Sequence, residues 1–265
     1  MKPTVILVGA DKGGVGKTTI SRALIDFMSR HSIPVRVFDT EVPRGSLQRF
    51  YPEISSIIDL NSVEGQISLL DNLDTADADV TIVDFKDGNL SAAFEVFEKI
   101  GVLKAARDGK FNLGLLHVVG PSVSSLEEIA EIEGYIQGLD YVLARNFINE
   151  TNFFEWDSKT HKKYFGGIKQ SNELTVPKLN EMAYEQVDLA GVTFNNFIEN
   201  KTADQKTADY SFVLRGYVNK WTTDLESEFQ RLHLIKEIFA GMKDDGSASG
   251  DHMGRAQGRD QAAAE

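Results

Sequence analysis

The sequence predicts an α/β fold of three layers: a mostly parallel, twisted sheet with helices on both faces and a long C-terminal helix. Three observations predict it. Runs of apolar β-formers alternate with helix-length amphipathic segments, the rhythm of βαβ units. A glycine-rich loop stands between the first such run and the first helix. The chain has 265 residues, 42% hydrophobic and 26% charged, which is ordinary for a domain with a proper core.

The elements follow in order. Residues 4–9 (TVILVG) read as a buried-type strand, 18–29 as the helix after it, and 35–39 (VRVFD) as the second strand. From 40 to 75 the pattern weakens, and a Pro-Arg-Gly turn between short apolar pieces predicts loops and partial helices. Residues 79–84 (DVTIVD) form the third clear strand. A helix over 90–106 carries Ala93, Val96, Phe97, Ile100 and Leu103 on one side. Residues 111–119 and 141–145 are further strands, separated by a helix over 125–137 that Ser124 or Ser125 would cap, with Glu128 following. The stretch 149–167 is more polar and aromatic and reads as an insertion. A short helix over 178–187 follows Pro177. Between 210 and 242 an apolar stripe runs at helical spacing through Leu214, Trp221, Leu225, Phe229, Leu232, Ile235 and Phe239. Only Gly216 interrupts it, so it is one long helix or two in line. Residues 1–243 are therefore expected to form one domain. Residues 244–265 have no periodicity and too little apolar surface to order themselves, so they are expected to be a disordered tail.

Composition narrows the function. Forty acidic against twenty-eight basic residues leave a net charge of −12, which argues against a protein whose whole surface wraps a polyanion. No apolar stretch approaches the roughly eighteen residues that span a bilayer, and a strand starting by Thr4 leaves no room for a secretory signal. The absence of cysteine removes disulfides, thiolate metal sites, iron–sulfur clusters and cysteine nucleophiles. A cytoplasmic protein is expected.

The run Asp11-Lys12-Gly13-Gly14-Val15-Gly16-Lys17-Thr18-Thr19 lies between strand and helix, where a phosphate-binding loop belongs. Glycines let successive backbone N–H groups converge on an anion, and the helix N-terminus adds its positive end. Lys17 would reach the β- and γ-phosphates, and the Thr18 hydroxyl would ligate Mg2+. Asp84 ends a buried strand, where a carboxylate is costly without a partner, and this favours a functional role. No guanine-reading Asn-Lys-x-Asp motif is present, so ATP is preferred to GTP.

The pattern Lys-Gly-Gly-x-Gly-Lys-Thr-Thr, with Lys12 as an extra lysine, closely resembles the deviant Walker A motif of the ParA/MinD family of ATPases. The resemblance covers roughly residues 1–240 but is specific only at the loop and the strand ends. It implies a P-loop NTPase fold of the SIMIBI type and an ATP-dependent homodimer, in which Lys12 reaches the partner's phosphates. It also implies that Asp39 and Glu41, at the end of the second strand, contact the magnesium shell and the attacking water. Glu41 is one methylene longer than the usual aspartate, and Pro43 comes one residue late. Asp84 matches the Walker B aspartate. The residues after it, Phe85-Lys86-Asp87-Gly88, depart from the family pattern, with Asp87 as a fallback carboxylate. Asn146 resembles the strand-end asparagine that binds adenine, and Thr175-Val176-Pro177 the loop lining the adenine pocket, followed by 185–192.

Within the family, the missing cysteines exclude cluster-carrying relatives. The absence of tyrosine after Tyr217 argues against tyrosine-kinase relatives, and with the loop beginning at Asp11 no preceding helix-turn-helix domain is expected. Residues 225–242 are amphipathic but mix acids with bases, so packing on the sheet is favoured over a membrane surface. Lys159, His161, Lys162, Lys163 and Lys169, beside Phe153, Phe154 and Trp156, form the best basic cluster for non-specific DNA. The same cluster fits a partner protein or a dimer contact equally well. Two functions remain. One is a slow, partner-stimulated ATPase switch that partitions or positions DNA or a cargo complex. The other is a nucleotide-binding scaffold with weak or lost hydrolysis.

Overall fold

Strands with apolar residues on both faces are best satisfied between two layers of helices, and the computed structural model has that arrangement. It describes residues 2–73, 78–149, 152–169 and 172–248. The strands are β1 (Thr4–Gly9), β2 (Val35–Asp39), β3 (Ser55–Ile57), β4 (Val80–Asp84), β5 (Asn112–Val119), β6 (Asp140–Asn146) and β7 (Glu173–Val176). The helices are α1 (Lys17–Arg30), α2 (Val63–Leu73), α3 (Leu90–Lys99), α4 (Val102–Arg107), α5 (Val123–Ile132), α6 (Ser158–Phe165), α7 (Glu181–Ala190), α8 (Phe194–Ile198), α9 (Phe212–Arg231) and α10 (His233–Ala248).

Among the described residues the sheet runs β3-β2-β4-β1-β5-β6-β7, with every pairing parallel. Side chains alternate between two cores. Ile6 and Val8 of β1 join α1 and α7–α10 on one face, while Val5 and Leu7 join α2–α6 on the other. Because β1 is central and the chain leaves it first toward β2 and later toward β5, the order reverses there. A crevice at the C-terminal strand ends is the expected consequence.

Several local expectations change. The helix expected over 90–106 breaks into α3 and α4 at Gly101, whose φ of 84° is left-handed and costs glycine little. Ser122, and not Ser124 or Ser125, caps α5, which ends at Ile132 instead of reaching 137. The weak region 40–75 contains the short strand β3 and helix α2, and residues 173–176 form edge strand β7 instead of a loop. The terminal stripe breaks at Leu232 (φ −68°, ψ 139°), while Gly216 lies inside α9. Leu225, Phe229, Ile235 and Ile238 are buried in the core, so this end of the chain packs on the sheet. Helix α10 continues to Ala248, and 249–265 lie outside the described residues.

One polar cluster is buried within the first core. The Arg22 guanidinium lies 3.5 Å from the Phe50 ring centre and 4.5 Å from that of Phe194, and donates to Val192 O at 3.2 Å. Asp26 accepts from Asn195 N at 3.0 Å, with the Tyr51 hydroxyl 2.9 Å from its other oxygen. Burial pushes the Asp26 carboxyl up from 3.8 to about 6, against the pull of these two hydrogen bonds and of Arg22. A raised carboxyl favours the protonated fold, so its contribution is present below about pH 4 and is lost as pH rises through about 6. Asp26→Asn removes this titration. Between pH 4 and pH 7 the variant should gain up to about 3 kcal/mol relative to the parent in urea unfolding. A pH-independent difference would exclude Asp26 as the titrating group.

Candidate functional site

The loop after β1 closes around two left-handed glycines, Gly14 (φ 72°) and Gly16 (φ 92°). A Cβ on Gly16 would lie 2.3 Å from Asn146 Nδ2, and that amide donates to Val15 O at 2.8 Å. Asn146, at the end of β6, therefore holds the loop against the sheet. Gly16 is also the N-cap of α1 and no side chain caps this helix, so its first N–H groups and positive end are open to an anion. Lys17 begins the helix and is buried at 6% exposure. Its ammonium donates to Lys12 O at 3.0 Å and pairs with the Asp87 carboxylate. Lys12 is exposed, and its ammonium makes no ion pair with the described residues.

Asp11, which stands where a glycine is usual, joins three elements. Its N–H donates to Glu128 Oε2 of α5 at 2.9 Å, and its carbonyl accepts from Gly88 N at 2.9 Å. Its carboxylate accepts from Leu90 N at 2.8 Å, from Ser91 N at 3.2 Å and from the Ser91 hydroxyl. The Asn89 side chain makes no cap bond, so Asp11 caps α3 from a distant part of the chain.

Asp39 and Asp84 end β2 and β4 side by side in register. Thr18 Oγ1 donates to Asp84 at 2.8 Å and Ser21 Oγ at 2.7 Å, locking α1 to β4. Burial raises the Asp84 carboxyl to about 7, opposed by these two hydroxyls, and the charge of Asp39 raises it further. Asp39 accepts three backbone N–H groups, from Glu41 (3.0 Å), Leu47 (2.8 Å) and Gln48 (3.1 Å), and so shapes the loop after β2. Glu41 is bound by Ser46 of the same loop. Asp39, Glu41, Asp84 and Asp87 line a cavity of about 170 Å3 with Lys17 and Thr18. Among the described residues no three carboxylates or histidines converge to hold a metal by themselves. The Thr18 proton goes to Asp84, which leaves the hydroxyl lone pairs for a cation. The set fits a Mg2+ ion that draws its remaining ligands from phosphate and water.

On the other side of the loop lies a cavity of about 380 Å3, lined by Gly14, Gly16, Thr19, Asn146, Pro177 and Trp221 among others. Trp221 Nε1 donates to Pro177 O at 2.7 Å and so fixes the loop after β7 from α9. Val176 pairs with Asn146 in the sheet, but its side chain belongs to the core and not to the cavity. The sequence pattern does not reveal Asp11 as a cap, Ser21, Glu128 or Trp221, because each acts on residues far away in the chain. Ser21 alone carries a local signal, lying one helical turn after Thr18.

Lys159, Lys162, Lys163 and Lys169 are exposed on and beside α6, with Lys163 bonded to Tyr164 Oη at 3.0 Å. Trp156 is 83% exposed, but Phe153 and Phe154 turn into the second core and are not part of that surface.

No family model matches the chain. Protein MobD of Acidithiobacillus ferrooxidans is 24% identical over 148 residues, 55% of this chain, and the chain spans 64% of MobD's length. A ParA family ATPase from Chlorobium tepidum TLS matches 83% of this chain and 98% of its own, with a TM-score of 0.51 and 16% identity. The chain has the ParA-type P-loop fold. The MinC:MinD cell division complex of Aquifex aeolicus covers 82% of this chain and 94% of its own at a TM-score of 0.46 and 12% identity. The ParA/MinD resemblance of the loop is thus met at the level of fold. Among the described residues no helix is long and apolar enough to cross a membrane.

If Asp11 caps α3 in this ParA-type fold, Asp11→Ala should cost about 1–2 kcal/mol in urea unfolding, and Asp11→Asn less than half of that. Equal stability of parent and alanine variant would remove the cap from the account.

Proposed function

We propose that the chain is an ATP-dependent dimerising switch, a slow ATPase that positions or partitions DNA or a cargo complex. One observation carries the reading. A single glycine loop, with a buried lysine and an uncapped helix start, separates a base-sized cavity from a smaller acidic one. A nucleoside triphosphate with Mg2+ matches that order: base by Asn146 and Pro177, phosphates on the N–H groups of Gly13 to Thr19, cation by Thr18 with Asp84 behind it.

In this reading the β- and γ-phosphates take the place of the Asp87 carboxylate on Lys17. Bound Mg2+ would neutralise phosphate charge. Asp39 holds the β2 loop so that Glu41 can orient the attacking water, once Glu41 gives up Ser46. Lys12 stands free to meet the phosphates of a second copy, where its charge would stabilise the transition state. A partner protein that orders these loops would stimulate turnover. The lysines of α6 supply a local positive surface for DNA despite the net charge of −12.

The bond between Glu41 and Ser46 also favours the second reading, a nucleotide-dependent scaffold with weak hydrolysis. Lys17→Ala tests the nucleotide site common to both readings, and Lys12→Ala separates them. Lys17→Ala should weaken ATP binding roughly 100-fold. Lys12→Ala should keep ATP binding but lose turnover and the ATP-dependent shift to dimer in gel filtration. Tight binding without turnover, with or without DNA, would leave the scaffold. For DNA, Lys162→Glu with Lys163→Glu should abolish ATP-dependent retention at low salt, and unchanged retention would place DNA elsewhere.

A further inference from the structure

Asp87 stands three residues beyond Asp84, and its carboxylate pairs with Lys17 where a phosphate would be held. The same carboxylate covers Gly13, since a Cβ on that glycine would meet Asp87 Oδ2 at 2.5 Å. An anion of this chain is thus seated on the phosphate loop. The two partners differ in exposure: the Lys17 side chain is 5% exposed and that of Asp87 is 59%. Lys17 is held in the interior, whereas Asp87 lies at the surface and can turn into water. Gly88, next in the chain, has a φ of 76°, a conformation that glycine adopts at little cost, and faces open space on its Cβ side. Gly88 N bonds to Asp11 O, and the Asp11 carboxylate holds the start of α3.

We infer that Asp87 is a built-in competitor for the phosphate site and lowers the affinity of every nucleotide whose phosphates reach Lys17. This rests on the nucleotide reading above. A ligand must bring enough negative charge to Lys17 to replace the carboxylate. Nucleoside triphosphates and diphosphates do this, and a monophosphate, whose single phosphate stops short of Lys17, does not. The cost of displacing Asp87 lowers affinity for every ligand that reaches Lys17 and leaves the others untouched. When the carboxylate departs, the loop at Gly88 moves with it, which ties phosphate arrival to the anchor of α3.

The test uses the full chain with Mg2+ and titrates ATP, ADP, pyrophosphate and AMP into the parent, Asp87→Asn, Asp87→Ser and Lys17→Ala. Removing the competing charge should tighten ATP, ADP and pyrophosphate by roughly five- to tenfold in both Asp87 variants. AMP affinity should stay the same, whereas a general loosening or tightening of the fold would move all four ligands together. Equal affinities in the parent and the Asp87 variants, or weaker ATP binding in the variants, would overturn the competitor role while leaving the nucleotide site intact. Failure of ATP to bind the parent and both Asp87 variants would instead overturn the nucleotide reading. Serine provides a small neutral side chain should the asparagine variant fold poorly.

Discussion

A wholly parallel sheet brings all its strand C-termini to one edge, and the buried polar groups on that edge must find partners. This constraint organises the molecule. Asp84 and Asp39 end adjacent strands, and both are almost wholly buried. Asp84 takes the hydroxyls of Thr18 and Ser21, which fixes the rotation of α1 against β4. Asp39 takes three N–H groups of the next loop. Asn146 takes the carbonyl of Val15, and Glu128 the N–H of Asp11. Each bond satisfies a buried group, and together they set the glycine loop with its N–H groups open.

The charge at this edge is unevenly shared. Four carboxylates line the smaller cavity, and Lys17, the one buried lysine among the described residues, faces them. The raised Asp84 carboxyl is the mark of burial first and then of the neighbouring Asp39 charge. On the proposed reading a cation and a phosphate together would relieve it, the cation by favouring ionised Asp84 and the phosphate by taking the place of the carboxylate on Lys17. The site is therefore more nearly balanced with ligand than without, which suits a switch whose two states differ in nucleotide. The net charge of −12 concerns the whole surface and does not oppose a local anion site built on backbone N–H groups.

Much of this edge was legible in the sequence, for physical reasons. β1, β2, β4, β5 and β6 are mostly apolar runs, and their order with the glycine loop points to Lys17, Thr18 and Asp84 as neighbours, while Asn146 and Pro177 follow from the family resemblance. β3 and β7 are three and four residues long and exist because β2 and β6 offer them an edge to pair with. No local pattern announces that. Gly101 and Leu232 break helices through backbone angles that an apolar stripe does not encode. Asp11 and Glu128 are 117 residues apart, and Trp221 and Pro177 are 44 apart, so their bonds emerge only from the assembled layers.

The account is tested most directly by a crystal structure of the full chain with Mg2+ and a non-hydrolysable ATP analogue. It predicts the phosphates on the N–H groups of Gly13 to Thr19, with phosphate in place of Asp87 on Lys17. The base should lie in the cavity between Asn146 and Pro177. Density for the nucleotide elsewhere, or a bound nucleotide with Lys17 still on Asp87, would contradict it.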